Sequence, residues 1–272
     1  MMRELAELLA RLRQAPAALV TVARTAGSVP REVGAWLAVW GDGTVLGTIG
    51  GGHLELTAIE RARAALAAGP FEPDEQRRAL GPSLGQCCGG VVWLRQERVD
   101  GADIDALRAR LMPPLAPLAL FGGGHVGRAI VRLLEDLPFA VRWVDSRDEV
   151  FPEPLPLNVQ AEHSDPVQAA VADLPAASAV LVMSFSHAED LEIIAACLAR
   201  QRQRGDLRYI GLIGSRTKWA RFGHRLAERG FGDDELARVT CPIGLPDIAG
   251  KQPAVVALAV VAQLLALGLA PA

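Results

Sequence analysis

Apolar and polar positions change their rhythm part-way along the chain. In the opening segment, MMRELAELLARLRQ, Leu5, Leu8, Leu9 and Leu12 share one helical face with Glu and Arg on the other, which predicts an amphipathic helix. Three strand-like runs follow: AALVTVA from Ala17, AWLAVW from Ala35 and VLGTI from Val45. The last two flank Gly41-Asp42-Gly43, a hairpin signal. Leu56, Ile59, Ala62 and Leu66 at helical spacing predict a helix over 54–67. RRAL and VVWLRQ then bracket a glycine-rich turn holding two cysteines. Residues 1–98 read as a mixed α+β domain.

Residues 99–116 contain DGADIDALRAR and Met112-Pro113-Pro114, and read as a linker with a short helix inside it. From Pro117 strands and helices alternate. LALF, AVRWVD, AVLVM and YIGLI are short continuous apolar runs, suited to a parallel sheet covered on both faces. Helices are predicted near 126–134, 166–171, 188–203, 217–229 and 253–267. The fold class is α/β: an N-terminal mixed α+β domain, then a C-terminal Rossmann-like doubly wound parallel-sheet domain over 117–272. The stretch from Ala254 to Ala270 is apolar apart from Gln263. Its Ala and Val content reads as a helix buried against a sheet rather than a membrane span.

Composition narrows the function classes. A chain of 272 residues accommodates two domains, and 50% hydrophobic with 22% charged residues excludes wholesale disorder. A net charge of −3 argues against a general nucleic-acid binder. The four cysteines, Cys87, Cys88, Cys197 and Cys241, make no disulfide framework in a chain this size. No signal peptide is visible, so a cytoplasmic location with reduced thiols is expected.

The candidate chemistry begins with LGPSLGQCCGG. Cys87 and Cys88 are adjacent, and the glycines around them let backbone and sulfur approach a ligand closely. Two soft nucleophiles placed this way either bind something or risk oxidation. The pair lacks the C-x-x-C spacing of a closed zinc site. Cys197, inside IIAACLA, reads as core, and Cys241, in CPIG, as a buried thiol near a strand end.

The second half opens with LALFGGGHVGRAI, where Gly122, Gly124 and Gly127 fit G-x-G-x-x-G, following a strand and opening a helix. Asp145 closes the next strand roughly 20 residues on, the place of a ribose-binding carboxylate. Arg147 just beyond it reads as a 2′-phosphate contact or as a solvated loop charge. A second glycine cluster, GTIGGGHLE, puts Gly50, Gly51 and Gly52 at a helix start followed by His53 and Glu55. It is either an anion nest or a corner needing positive φ. TAGSVPREVGA, with Arg24 and Arg31, reads as a substrate loop or a solvated connection. His187 and Asp190 in SFSHAED, and Ser215, Arg216 and Lys218 in GSRTK, follow strands at the edge where open α/β sheets bind ligands.

Together GTIGGGHLE, GPSLGQCCGG, GGGHVGR with WVDSR, VMSFSHAEDLE, YIGLIGSRTK and CPIGLPDIAGKQPAVVA resemble the xanthine dehydrogenase accessory protein family of the XdhC/CoxI type, in order across nearly the whole chain. The resemblance implies a chaperone rather than an enzyme with turnover of its own. Such a protein binds the molybdenum cofactor (molybdopterin) as cargo. It assists exchange of an oxo ligand on Mo for a terminal sulfide, with sulfur from a cysteine desulfurase. It then delivers the cofactor to a xanthine dehydrogenase-type molybdenum hydroxylase. Under that reading Cys87 and Cys88 are the first candidates for ligating Mo or handling sulfur, with His187 and Asp190 beside them. Gly122, Gly124, His125, Gly127 and Asp145, the Gly50–Gly52 cluster with Glu55, and Ser215, Arg216 and Lys218 are candidates for holding the pterin phosphate or a nucleotide extension. The chain departs from the family pattern at SFSHAED, which more commonly reads THSHALD, so Phe185 stands where a histidine is common. A homodimer is expected, and neither nucleic acid nor membrane as partner. The residues leave two alternatives: an NAD(P)-dependent oxidoreductase using His187 or Lys218 as acid–base group, and a nucleotide-sensing regulatory module.

Overall fold

The computed structural model describes residues 2–80 and 89–271. These form two compact units, Arg3–Met112 and Pro113–Ala272. The division falls inside the stretch read as a linker. Its short helix belongs to the first unit because Leu107 and Leu111 are buried.

In the first unit the chain runs through α1 (Met2–Leu12), β1 (Ala17–Ala26), β2 (Trp36–Trp40), β3 (Val45–Gly47), α2 (Gly52–Ala68), β4 (Asp74–Ala79), β5 (Val91–Val99) and α3 (Ile104–Leu111). The strands form one antiparallel sheet in the order β3-β2-β1-β5-β4. Strand alternation sends Val20, Val22, Leu37, Val39, Val92 and Leu94 to one face, where they form a core with Leu54, Ala58 and Ala62 of α2. Trp40 points to the other face and carries the Arg11 guanidinium of α1 over its ring at 4.8 Å. Arg110 of α3 pairs there with Glu97, a carboxylate only 8% exposed. The VLGTI run stops being strand at Gly47. That residue has φ +81°, and a Cβ there would lie 2.6 Å from the Trp36 carbonyl.

The second unit contains β6 (Ala116–Phe121), α4 (His125–Leu134), β7 (Phe139–Asp145), β8 (Val159–His163), β9 (Ala179–Val182), α5 (His187–Arg204), β10 (Tyr209–Leu212), α6 (Arg216–Glu228), α7 (Asp233–Leu236), β11 (Val239–Thr240) and α8 (Pro253–Ala266). Its six strands are all parallel, in the order β11-β10-β9-β6-β7-β8. This is the doubly wound order in which the first strand lies at the centre and the chain winds outward on both sides. Leu118 and Leu120 of β6 face α4 and α8, while Ala119 and Phe121 face α5 and α6, so every central strand is apolar on both sides.

Four elements differ from the sequence expectation. The 166–171 stretch is a 3-10 helix, Val167–Asp173, because the buried Arg200 guanidinium of α5 takes the carbonyls of Val171, Ala172 and Leu174 at its end. Strand β8 has the sequence VQAEH, an edge strand with little apolar alternation to announce it. The short pieces α7 and β11 are two to four residues long and gave no periodicity to read. Helix α8 spans 14 residues and buries Ala257, Val260, Val261 and Leu264. Among the described residues no helix is long and apolar enough to cross a membrane.

Candidate functional site

The carboxyl edge of the parallel sheet gathers the loops that follow its six strands, and the glycine loop after β6 lies at its switch point, between β9 and β7. Each glycine of the fingerprint meets a different constraint. At Gly122, φ is +123° and a Cβ would lie 2.0 Å from the Met183 carbonyl oxygen. At Gly127 a Cβ would lie 2.0 Å from the Gly122 carbonyl oxygen, which also accepts a bond from the Trp143 indole at 3.0 Å. Gly124 is the opposite case. It is exposed, caps α4 with no side chain of its own, and a Cβ there meets nothing within 4 Å. Helix α4 therefore presents its first amides, with an effective charge of about +0.5, over an open surface. His125 is exposed at its first turn.

Asp145 does not present a free carboxylate beside this loop. It is 2% exposed, and both oxygens are engaged. Oδ2 accepts from the Gly123 amide at 2.6 Å and from Arg147 Nη2 at 2.9 Å, while Oδ1 accepts from the Arg147 amide and Nε, both at 2.9 Å. Burial opposes ionisation, but the Arg147 guanidinium and the two amides outweigh it, holding the carboxyl below the usual carboxylate range. Arg147 in turn stacks at 4.7 Å on the ring of Phe185, itself 66% exposed. The loop after β7 is clamped a second time, by Arg128 donating to the carbonyls of Gly123 and Val150. A depressed carboxyl stabilises the fold fully above its unfolded pKa of about 4, and that contribution is lost as pH falls through the lower folded value. Urea titrations between pH 7 and pH 2.5 should show Asp145→Asn less stable than the parent at neutrality, with the difference closing at the acid end.

Beyond the glycine loop, toward β10 and β11, lies a buried ion pair. Lys218 Nζ is 2.6 Å from Asp190 Oδ2 and donates to the Ile213 carbonyl at 2.9 Å. Asp190 Oδ1 accepts from the Ser184 amide and hydroxyl, both at 2.8 Å, and so fixes the turn after β9. Ser215 caps α6 by accepting the Lys218 amide, with Arg216 exposed beside it. His187 is exposed and sits edge-on to Phe222 at 6.4 Å. The half-buried Cys241 lies near the same pair. Burial pushes its thiol pKa up, against the pull of Lys218.

Two family profiles match this chain. The XdhC Rossmann domain matches residues 118–264, and the XdhC and CoxI family matches residues 10–73.

The chain belongs to the XdhC and CoxI family.

Over 253 residues, 92% of its length, it is 28% identical to the uncharacterized protein YqeB of Escherichia coli (strain K12), and it spans 43% of that relative. A crystal structure described as a xanthine dehydrogenase from Bacillus halodurans superposes with a TM-score of 0.68 at 21% identity, covering 97% of this chain and 95% of that one. That likeness is one of fold.

Within this XdhC-family chain the remaining candidates separate. Cys87 and Cys88 lie outside the described residues. Among the described residues no group of three or more His, Cys, Asp or Glu is placed to hold a metal ion. Cys197 is fully buried, with its thiol pKa pushed up to about 12 by that burial, and is core. In the first unit Gly50, Gly51 and Gly52 do take positive φ, but the anion at the Gly51 amide is the protein's own, and the Gly50 amide donates to the Thr48 hydroxyl. Glu55 Oε2 accepts from Ile49 N at 3.0 Å, Gly51 N at 3.1 Å and Thr48 Oγ1 at 2.5 Å.

Sequence reading passed over Arg128 and Glu189, which tie the β7 loop to its surroundings. Glu189 accepts from the Ser146 hydroxyl at 2.6 Å, and its other oxygen, Oε2, is enclosed without a partner. Nothing in the local sequence announces a contact across 43 positions.

Proposed function

We propose that this XdhC-family protein is a maturation factor for a xanthine dehydrogenase-type molybdenum hydroxylase. It binds the molybdenum cofactor as cargo, assists its sulfuration with sulfur from a cysteine desulfurase, and hands it to the client enzyme. Family membership supports the role, and the open face of Gly124 at the α4 N-terminus supports a phosphate-bearing ligand. That face accepts the phosphate of a pterin or the pyrophosphate of its nucleotide form equally well. Cys87 and Cys88 supply the soft sulfur ligands that Mo and persulfide chemistry call for.

The observation that separates this reading from an NAD(P)-dependent oxidoreductase is the engagement of Asp145. A carboxylate that recognises a ribose diol needs free acceptor capacity, and this one already accepts four hydrogen bonds. Anaerobic incubation with molybdenum cofactor, followed by gel filtration, reads co-eluting Mo and pterin fluorescence. Stoichiometric Mo in the parent, falling at least tenfold in Cys87→Ala/Cys88→Ala while the melting temperature holds, is the expected result. Absence of Mo from the parent, together with tight NAD(P)H binding, would overturn it.

A further inference from the structure

The first unit holds a small pocket, apolar at one end and polar at the other, that the maturation reading does not use. It lies between α2 and the sheet, over β1, β5 and β4, with a volume of about 60 Å³. That is about four times the roughly 15 Å³ that one water needs. One end is apolar, walled by Val20, Leu54, Ala58 and Leu94, and these same residues belong to the core under α2. The other end is made by Arg61, Gln76, Arg78 and Gln96.

The formal charge left over at that end has one sign, and Gln96 can turn the N–H side of its amide toward it. Arg61 pairs with Asp74, which neutralises it. Gln76 spends both ends of its amide, accepting from Arg78 Nη2 at 2.6 Å and donating to Asp74 at 3.3 Å. Thr57 donates its hydroxyl to the His53 carbonyl. Arg78 has no carboxylate partner among the described residues, so its charge is uncompensated. Gln96 is 4% exposed, lines the pocket on the same sheet face as Leu94, and forms no side-chain hydrogen bond to any described residue. A guanidinium without a carboxylate partner, beside an amide that lines the same space, favours an anion. Both groups offer N–H donors into one small space.

We propose that this pocket binds a small oxyanion of the size of phosphate or sulfate. The ligand's oxygens take the free Arg78 N–H groups on one side and the Gln96 amide nitrogen on the other, and its charge balances Arg78. The planar fork of arginine suits two oxygens of a tetrahedral anion. The site is independent of the cargo reading, since it uses neither the cysteine pair nor the glycine loop of the second unit.

The test is calorimetric titration of the full chain with phosphate and with sulfate, alongside Arg78→Met and Gln96→Leu. The parent should bind saturably with one site. Both variants should bind at least tenfold more weakly. In anion-free buffer Gln96→Leu should melt no lower than the parent, because it removes an unpaired amide at nearly constant volume. A glutamine with a purely structural role would lower the melt instead. Crystals soaked in tungstate should show anomalous density within hydrogen-bonding distance of Arg78 and Gln96. No saturable binding by the parent, or equal affinity in the parent and Arg78→Met, overturns the proposal.

Discussion

Gly127→Ala is expected to unfold the second unit, whereas Gly124→Ala is expected to leave it folded and to weaken its binding of the proposed phosphate-bearing cargo. The two glycines stand three residues apart in one motif but answer to opposite constraints. A methyl at 127 would sit 2.0 Å from a backbone oxygen that is itself held by Trp143, so neither the helix nor the strand can yield locally. Overpacking of a relaxed core costs about 1–3 kcal/mol, and a clash with pinned backbone belongs above that range. At Gly124 φ is −71° and nothing lies within 4 Å, so alanine is tolerated at about 1 kcal/mol or less for the altered cap. The same methyl occupies the space into which a phosphate would settle, and binding should weaken at least tenfold. Urea melts followed by circular dichroism read the first effect and cofactor retention reads the second. A Gly127→Ala protein that melts like the parent would refute the packing argument.

The second large effect is expected at the buried ion pair. Asp190→Ala should destabilise the second unit by about 3–5 kcal/mol, because it leaves Lys218 charged in a site only 12% exposed and frees the Ser184 amide. Lys218→Met should cost less, since Asp190 keeps two donors from Ser184. The double variant Asp190→Ala/Lys218→Met should lie well short of the sum of the single changes, as groups in contact do not add. Additive costs in equilibrium urea unfolding would show that the two side chains stabilise the fold independently, contrary to their 2.6 Å contact.

Much of this architecture is legible in the sequence. Continuous apolar runs such as LALF and AVRWVD announce strands covered on both sides, and all four such runs are central strands of the parallel sheet. The Gly41-Asp42-Gly43 turn joins two antiparallel strands, as the hairpin signal predicts. Polar or very short elements were harder to read: β8, with one strongly apolar residue, and β11, two residues long, are held by neighbours distant in the chain. At the candidate site, the position of Asp145 is visible in the sequence but its occupation is not. Whether Arg147 turns outward to a ligand or back onto its own carboxylate depends on the loop's fold and on Phe185, not on spacing.

The tethered carboxylate at Gly51 makes the first unit's glycine corner an exchange site rather than an empty receptor. Any outside anion that reaches those amides competes with Glu55, whose effective local concentration, set by its short connection to the same loop, is on the order of millimolar or higher. A weak ligand will register there only after this internal rival has been removed. Glu55→Ala, which removes both the charge and the acceptor oxygen, is therefore expected to leave the Ile49 and Gly51 amides open to an anion from solution.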